Sequence, residues 1–124
     1  MKAYILLLLV VVLLVAGCGS KKADPYAAGN RALLARIPVY PGAASPKTTV
    51  SGDSNTQFGA RDWTLPANAK ADAVITWYER KLQAGGWKIV GKSFETLRAT
   101  RGKATLSVGV RGRTLEAVAN SRGA

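Results

Sequence analysis

From Ala104 to Ala119 the chain alternates residue by residue, and this constrains its fold more than any other feature. Ala104, Leu106, Val108 and Val110 are apolar, with Thr105, Ser107, Gly109 and Arg111 between them. After Arg111-Gly112-Arg113 the period resumes, with Leu115, Ala117 and Ala119 alternating with Thr114, Glu116 and Val118. Successive side chains of a strand point to opposite faces, so a period of two describes strands with one dry and one wet face. Arg101-Gly102-Lys103 and Arg111-Gly112-Arg113 are short enough only for hairpin turns, which makes the strands they join antiparallel. Upstream, Trp87 to Val90 and Phe94 to Thr100 also read as strands, with Gly91-Lys92 as the turn between them. If Leu97 and Ala99 point inward, Thr96, Arg98 and Thr100 join Thr105, Ser107 and Arg111 on the wet face.

The period changes to that of a helix after Pro66. Ala71, Val74, Ile75, Tyr78 and Leu82 fall on one stripe, Asn68 is placed to cap the start, and Gly85-Gly86 supplies the left-handed residue that ends helices. A shorter helix is expected from Pro25 to about Arg36, with Asp24 as N-cap and Pro25 in the first turn, where its missing N–H costs nothing. Gly29 and Asn30 weaken it. Ile37 to Ala43 holds Pro38 and Pro41, so it reads as an extended arm ending in a turn at Pro41-Gly42. Lys47 to Val50 and Gln57 to Leu65 read as a hairpin around Ser51 to Asn55, with Arg61 on the face of Trp63 and Leu65 unless a bulge near Gly59 shifts it. Helices and strands are thus segregated. The expected fold is α+β: an antiparallel sheet with one long helix, and a shorter N-terminal helix, packed on one face.

The first residues follow a different logic. Met1 to Tyr4 carries one lysine, and Ile5 to Ala16 is a run without charge or polar group. Such a run is too short to span a bilayer, which takes about 20 apolar residues, and it matches the core of a secretory signal. It ends in Val15-Ala16-Gly17-Cys18, followed by Gly19-Ser20. These residues resemble the lipobox of a bacterial lipoprotein. The resemblance implies removal of residues 1–17 as signal peptide, a diacylglyceryl thioether on Cys18 with acyl chains such as palmitate, and a lipidated tether over residues 18–23. One domain, residues 24–124, then stands on the extracytoplasmic side of a cell membrane. Gly19 does not distinguish inner from outer membrane.

Within the domain, Val39-Tyr40-Pro41-Gly42-Ala43, Thr76-Trp77-Tyr78-Glu79, Leu82 and Gly85-Gly86-Trp87 are similar to a loose set of small uncharacterised bacterial secreted or lipid-anchored proteins. In these a "YPGA" arm precedes a helix reading "WY…L…GW". The likeness implies a shared fold and brings no catalytic residue with it. Physical reasoning gives these residues structural roles, with Tyr40, Trp63 and Trp77 as the aromatics open to service as a stacking platform.

Chemistry is narrowed by what the chain lacks. It has no histidine and one cysteine, which removes Ser-His-Asp and Cys-His catalysis, imidazole zinc sites and internal disulfides. No metal or cofactor is expected. Carboxylate chemistry is the remaining easy route, but Asp53, Asp62, Asp72, Glu79, Glu95 and Glu116 show no pairing in sequence, and only Asp62 beside Trp63 invites inspection. The net charge is +11, and losing residues 1–17 takes away Lys2 alone, leaving +10. That field favours anionic surroundings such as phospholipid headgroups, an acidic envelope polymer or nucleic acid, and the expected partners are the membrane, an acidic envelope polymer or a protein. No nucleic-acid motif accompanies it. Arg98, Arg101, Lys103, Arg111 and Arg113 form a candidate anion-binding cluster, which two adjacent hairpin turns would bring close together with only Glu116 nearby to offset it. The expected function is a noncatalytic binding or assembly module of the envelope. A carboxylate-dependent envelope hydrolase is the alternative.

Overall fold

The computed structural model describes residues 25–50 and 58–121. The signal peptide, Cys18, the tether and the Ser51 to Asn55 loop lie outside these. Eight elements follow in order: α1 (Pro25–Ala35), β1 (Ala44–Val50), β2 (Gly59–Thr64), α2 (Ala71–Ala84), β3 (Lys88–Lys92), β4 (Thr96–Arg101), β5 (Ala104–Arg111) and β6 (Thr114–Asn120). One antiparallel sheet has the strand order β1-β2-β6-β5-β4-β3, so α2 carries the chain from the β1-β2 hairpin to the opposite edge. Both helices pack on one face, α1 over β6, β2 and β1 and α2 over β5, β4 and β3. This is the α+β arrangement that the alternating strands and the apolar stripe require.

Burial follows the two periods. On β5 the residues from Ala104 to Val110 alternate between buried and partly exposed, and on α2 the buried residues are Val74, Ile75, Tyr78 and Leu82. The space between helices and sheet is filled by Trp63, Tyr78, Leu34, Leu65, Ile75, Leu97 and Leu115, all essentially without solvent contact. Each such side chain contributes roughly 1.5–3 kcal/mol relative to leaving it exposed. Ala117 and Ala119 leave room for α1 on β6. Trp63 therefore belongs to the core and is no stacking platform.

The end of α2 shows how sequence sets local geometry. Gly86 adopts φ +86°, its N–H donates to the Gln83 carbonyl, and the Trp87 N–H donates to the Leu82 carbonyl. This crossed pair satisfies two carbonyls that the helix leaves open, and it turns Trp87 back onto the sheet beside Leu82. Arg101 adds a bond from its guanidinium to the Gly85 carbonyl at 3.1 Å while lying 4.6 Å above the Trp87 ring. At the other end the N-cap is Lys70 rather than Asn68, because Pro66 to Ala69 forms its own turn, with the Ala69 N–H donating to the Pro66 carbonyl. Asp72 instead receives the Ala73 N–H at 2.8 Å and places a carboxylate at the positive end of the helix dipole.

A second correction concerns β3. Gly91 and Lys92 are not a turn: they continue the strand, pairing with Arg98 and Leu97 after a bulge at Val90. The turn falls at Ser93 to Glu95, where the Ser93 hydroxyl accepts the Glu95 and Thr96 N–H groups. A side chain able to bond its own backbone wins the turn from a glycine that the bulge accommodates.

The sheet has two ends. One, the proximal end, holds the Gly102-Lys103 turn, the exit of α2 and the close of β6. The other, the distal end, holds the Ser93 to Glu95 turn, the Gly112-Arg113 turn and the start of α2.

Candidate binding face of the sheet

With the helices on one side, the other face of the sheet is open. Register places its residues in rows across the strands: Thr96 opposite Gly109 and Gly109 opposite Glu116; Arg98 opposite Ser107 and Ser107 opposite Val118; Thr100 opposite Thr105. Toward the distal end this face holds a cleft of about 380 Å³ between Glu95 and Thr96 on one side and Glu116 and Thr114 on the other, lined also by Arg111. The floor is Gly109. Toward the proximal end a smaller groove of about 230 Å³ runs past Phe58, Val90, Arg98 and Val118. Phe58 and Val90 are both half exposed, so this end of the wet face sets apolar surface beside Arg98 and beside Lys88 of β3, which stands opposite Thr100.

Gly109 lies inside a central strand whose pairing on both sides runs without a bulge. A Cβ built there meets nothing nearer than 3.9 Å, and its φ is not in the left-handed region. Neither sterics nor backbone conformation demands glycine at this position. A glycine in a strand interior is costly and commonly marks close approach of something outside the sheet. The sequence carried this signal as the one missing side chain in its strongest alternating run.

The five basic residues singled out from sequence do not converge. Successive hairpin turns sit at opposite ends of the strand between them, and β5 spans eight residues, roughly 25 Å. Arg101 and Lys103 are therefore proximal, Arg111 and Arg113 distal, and Arg98 lies mid-strand. Two of the five are also occupied. Arg101 holds the Gly85 carbonyl, and Arg113 donates from Nε to the Leu65 carbonyl at 3.1 Å while the Leu65 N–H donates to the Arg113 carbonyl. A single anion site built from all five is excluded by the topology.

The carboxylates are regrouped as well. Asp62 stands directly opposite Glu116 across β2 and β6, with Lys47 opposite it on β1. One Asp62 carboxylate oxygen is buried without a hydrogen-bond partner among the described residues. Glu79 is paired with Lys92 at 3.2 Å, the one ion pair among the described residues. The Asp62 and Glu116 pairing was hidden in sequence because β2 and β6 lie half a chain apart. Arg61 does reach the helix side, as its position two residues before Trp63 requires: its guanidinium lies 5.3 Å from the Trp63 ring and donates to the Leu34 carbonyl at 3.2 Å.

Of the candidate aromatics, Tyr40 and Trp77 meet edge to face at 5.4 Å, and Trp77 meets Tyr78 at 4.9 Å. The Tyr78 hydroxyl donates to the Pro38 carbonyl at 2.9 Å and accepts the Tyr40 N–H at 3.2 Å. The arm and the long helix are thus joined through one phenol. Burial pushes the pKa of that phenol up to about 12, against a smaller lowering by the Tyr40 N–H.

No helix among the described residues is long and apolar enough to cross a membrane. No curated protein and no solved structure matches the chain. A family model described as START domain-like matches residues 48–120, from within β1 to the last residue of β6. That stretch holds five whole strands, α2 and the open cleft over more than half of the sequence, and the chain belongs to the START domain-like family.

Proposed function

We propose that the chain is a membrane-anchored, noncatalytic binding module, acylated at Cys18 and held on the extracytoplasmic side of the cell membrane, that takes its ligand on the open face of the sheet. The observation that carries the binding reading is the cleft over Gly109, a glycine that neither backbone nor neighbours require. Membership of the START domain-like family suggests a ligand-binding module and agrees with it. The anchor rests on the lipobox-like Val15 to Cys18 at the end of the apolar leader. The centre of the core between helices and sheet is filled, and the pocket that opens between α1 and the sheet edge, past Arg31, Ala35, Thr48 and Arg61, is smaller, at about 320 Å³, than the cleft over Gly109.

The open face itself carries Lys47, Lys88, Arg98 and Arg111 against Asp62, Glu95 and Glu116, so its charges nearly balance and it is not an anion trap. An acidic envelope polymer is drawn by the net charge of the whole domain. Assembly by edge pairing is disfavoured: β1 carries Pro46, Lys47 and a bulge, and β3 carries a bulge between two lysines. A carboxylate-dependent hydrolase draws on Asp62 opposite Glu116, yet Glu116 is exposed to solvent in a cleft that stands open to water.

Gly109→Leu separates site from scaffold. Filling the cleft leaves the fold intact and raises its stability by about 0.5–1 kcal/mol, since glycine is penalised in strand interiors. Native mass spectrometry of chain extracted in mild detergent from its own membranes should show a noncovalent small-molecule adduct on the wild type that Gly109→Leu lacks. The same adduct on both, or none on the wild type, contradicts the reading.

A further inference from the structure

The two ends of the sheet differ in charge. All five described carboxylates lie in the distal half: Asp72 at the start of α2, Glu95 in the turn after β3, Glu79 bound to Lys92 near that turn, and Asp62 and Glu116 facing each other beyond the strand midpoints. The proximal end has none among the described residues. It presents Lys88 at the start of β3, Arg101, and Lys103 in the turn after β4, and it carries the half-exposed Phe58. Lys88 and Lys103 have no ionic partner among the described residues.

The same end receives the chain from its leader. The Ser121 N–H donates to the Asn30 carboxamide oxygen at 2.6 Å, which fixes α1 beside the close of β6. From there α1 runs toward the distal end, where the arm enters β1 with Ala44 opposite Thr64. Pro25, and with it the connection to residues 1–24, is thus proximal. Those preceding residues carry Lys21 and Lys22 against Asp24. From Cys18 to Pro25 is at most about 25 Å of fully extended chain, so an anchor at Cys18 keeps this end within reach of the bilayer.

We infer that the proximal end of the domain docks on the anionic headgroup surface of the membrane that anchors it, through Lys88 and Lys103, with Phe58 exposed at the same end. This rests on the anchored reading above and deepens it. Basic residues near an anionic leaflet are attracted to it, and the attraction decays within a Debye length of about 8 Å at physiological salt, so only the proximal cations contribute. An aromatic side chain among them is the kind of group that settles at headgroup depth. The groove beside Phe58 then lies nearer the membrane than the cleft over Gly109.

The full-length chain, reconstituted in vesicles of phosphatidylcholine with phosphatidylglycerol, tests this. A thioether at Cys18 leaves an introduced cysteine as the only free thiol. Ala84→Cys and Phe94→Cys, carrying the same fluorophore, report the proximal and distal ends, Ala84 being exposed at the exit of α2 and Phe94 in the distal turn. A headgroup nitroxide should quench the label at position 84 about threefold more than that at 94, and the ratio should fall to about one in pure phosphatidylcholine or in high salt. Adding Lys88→Glu and Lys103→Glu to Ala84→Cys should reduce the contrast in the same direction. Equal quenching, or stronger quenching at 94, on chain whose intact mass shows acylated Cys18 overturns the docking and leaves the anchor standing. A mass without acylation overturns the anchor, and the docking with it.

Discussion

Tyr78→Phe is expected to lower stability by about 1–3 kcal/mol near neutral pH, because it strips two backbone groups of their partner in a site closed to water. The Pro38 carbonyl loses its donor and the Tyr40 N–H loses its acceptor, while ring and packing stay in place. The difference should also depend on pH in a defined sense. The folded phenol titrates near 12 against 10.0 for an ordinary tyrosine. Below pH 10 it is neutral in folded and unfolded chains alike, and its full contribution is present. Between pH 10 and 12 the unfolded chain ionises first, so stability falls by an amount on the order of 2–3 kcal/mol, lost completely above the folded value. Phenylalanine has no such titration, so the wild-type and variant curves converge as pH rises through this window. Urea denaturation of both chains from pH 7 to 11 checks it. A constant gap would mean that the phenol is not held neutral by the fold.

Asn30→Ala gives an equally large effect, and its sign discriminates. Helix propensity alone favours alanine over asparagine by up to about 0.7 kcal/mol, so an α1 that merely tolerated Asn30 would be stabilised. In the fold, Asn30 is buried and its carboxamide oxygen receives the Ser121 N–H across 91 residues of sequence. Removing it leaves a buried N–H unpaired, at about 1–3 kcal/mol, so the net change is a loss. Hydrogen exchange localises the effect: the Ser121 amide should lose protection first, ahead of the central strands. A stabilised variant would show that α1 is not tied to β6 in this way.

What could be read from sequence follows the range of the interactions involved. The strands from Thr96 to Asn120 and the stripe of α2 are set by side chains at fixed spacing, and they fold as the spacing dictates. The hairpin turns at Gly102 and Gly112, both at φ +59°, are local and were equally plain. A bulge at Val90 adds one residue without altering composition, so Gly91-Lys92 resembled a turn and Ser93 was passed over. Asn30 counted against its own helix because its partner lies at the far end of the chain. The same distance hid Asp62 opposite Glu116 and made the basic turns look adjacent, although an eight-residue strand separates them. Gly109 was in plain view among the wet-face residues. Its meaning required knowing that nothing around it prevents a side chain.

A lipid-held module that works outside the cytoplasm begins at one modified sulfur. Intact mass under denaturing conditions, on chain purified from its native membranes, tests this directly. The account predicts a chain starting at Cys18, heavier than its sequence by a diacylglyceryl group and any N-acyl chain. A chain that retains Met1, or one with an unmodified thiol at position 18, would contradict it.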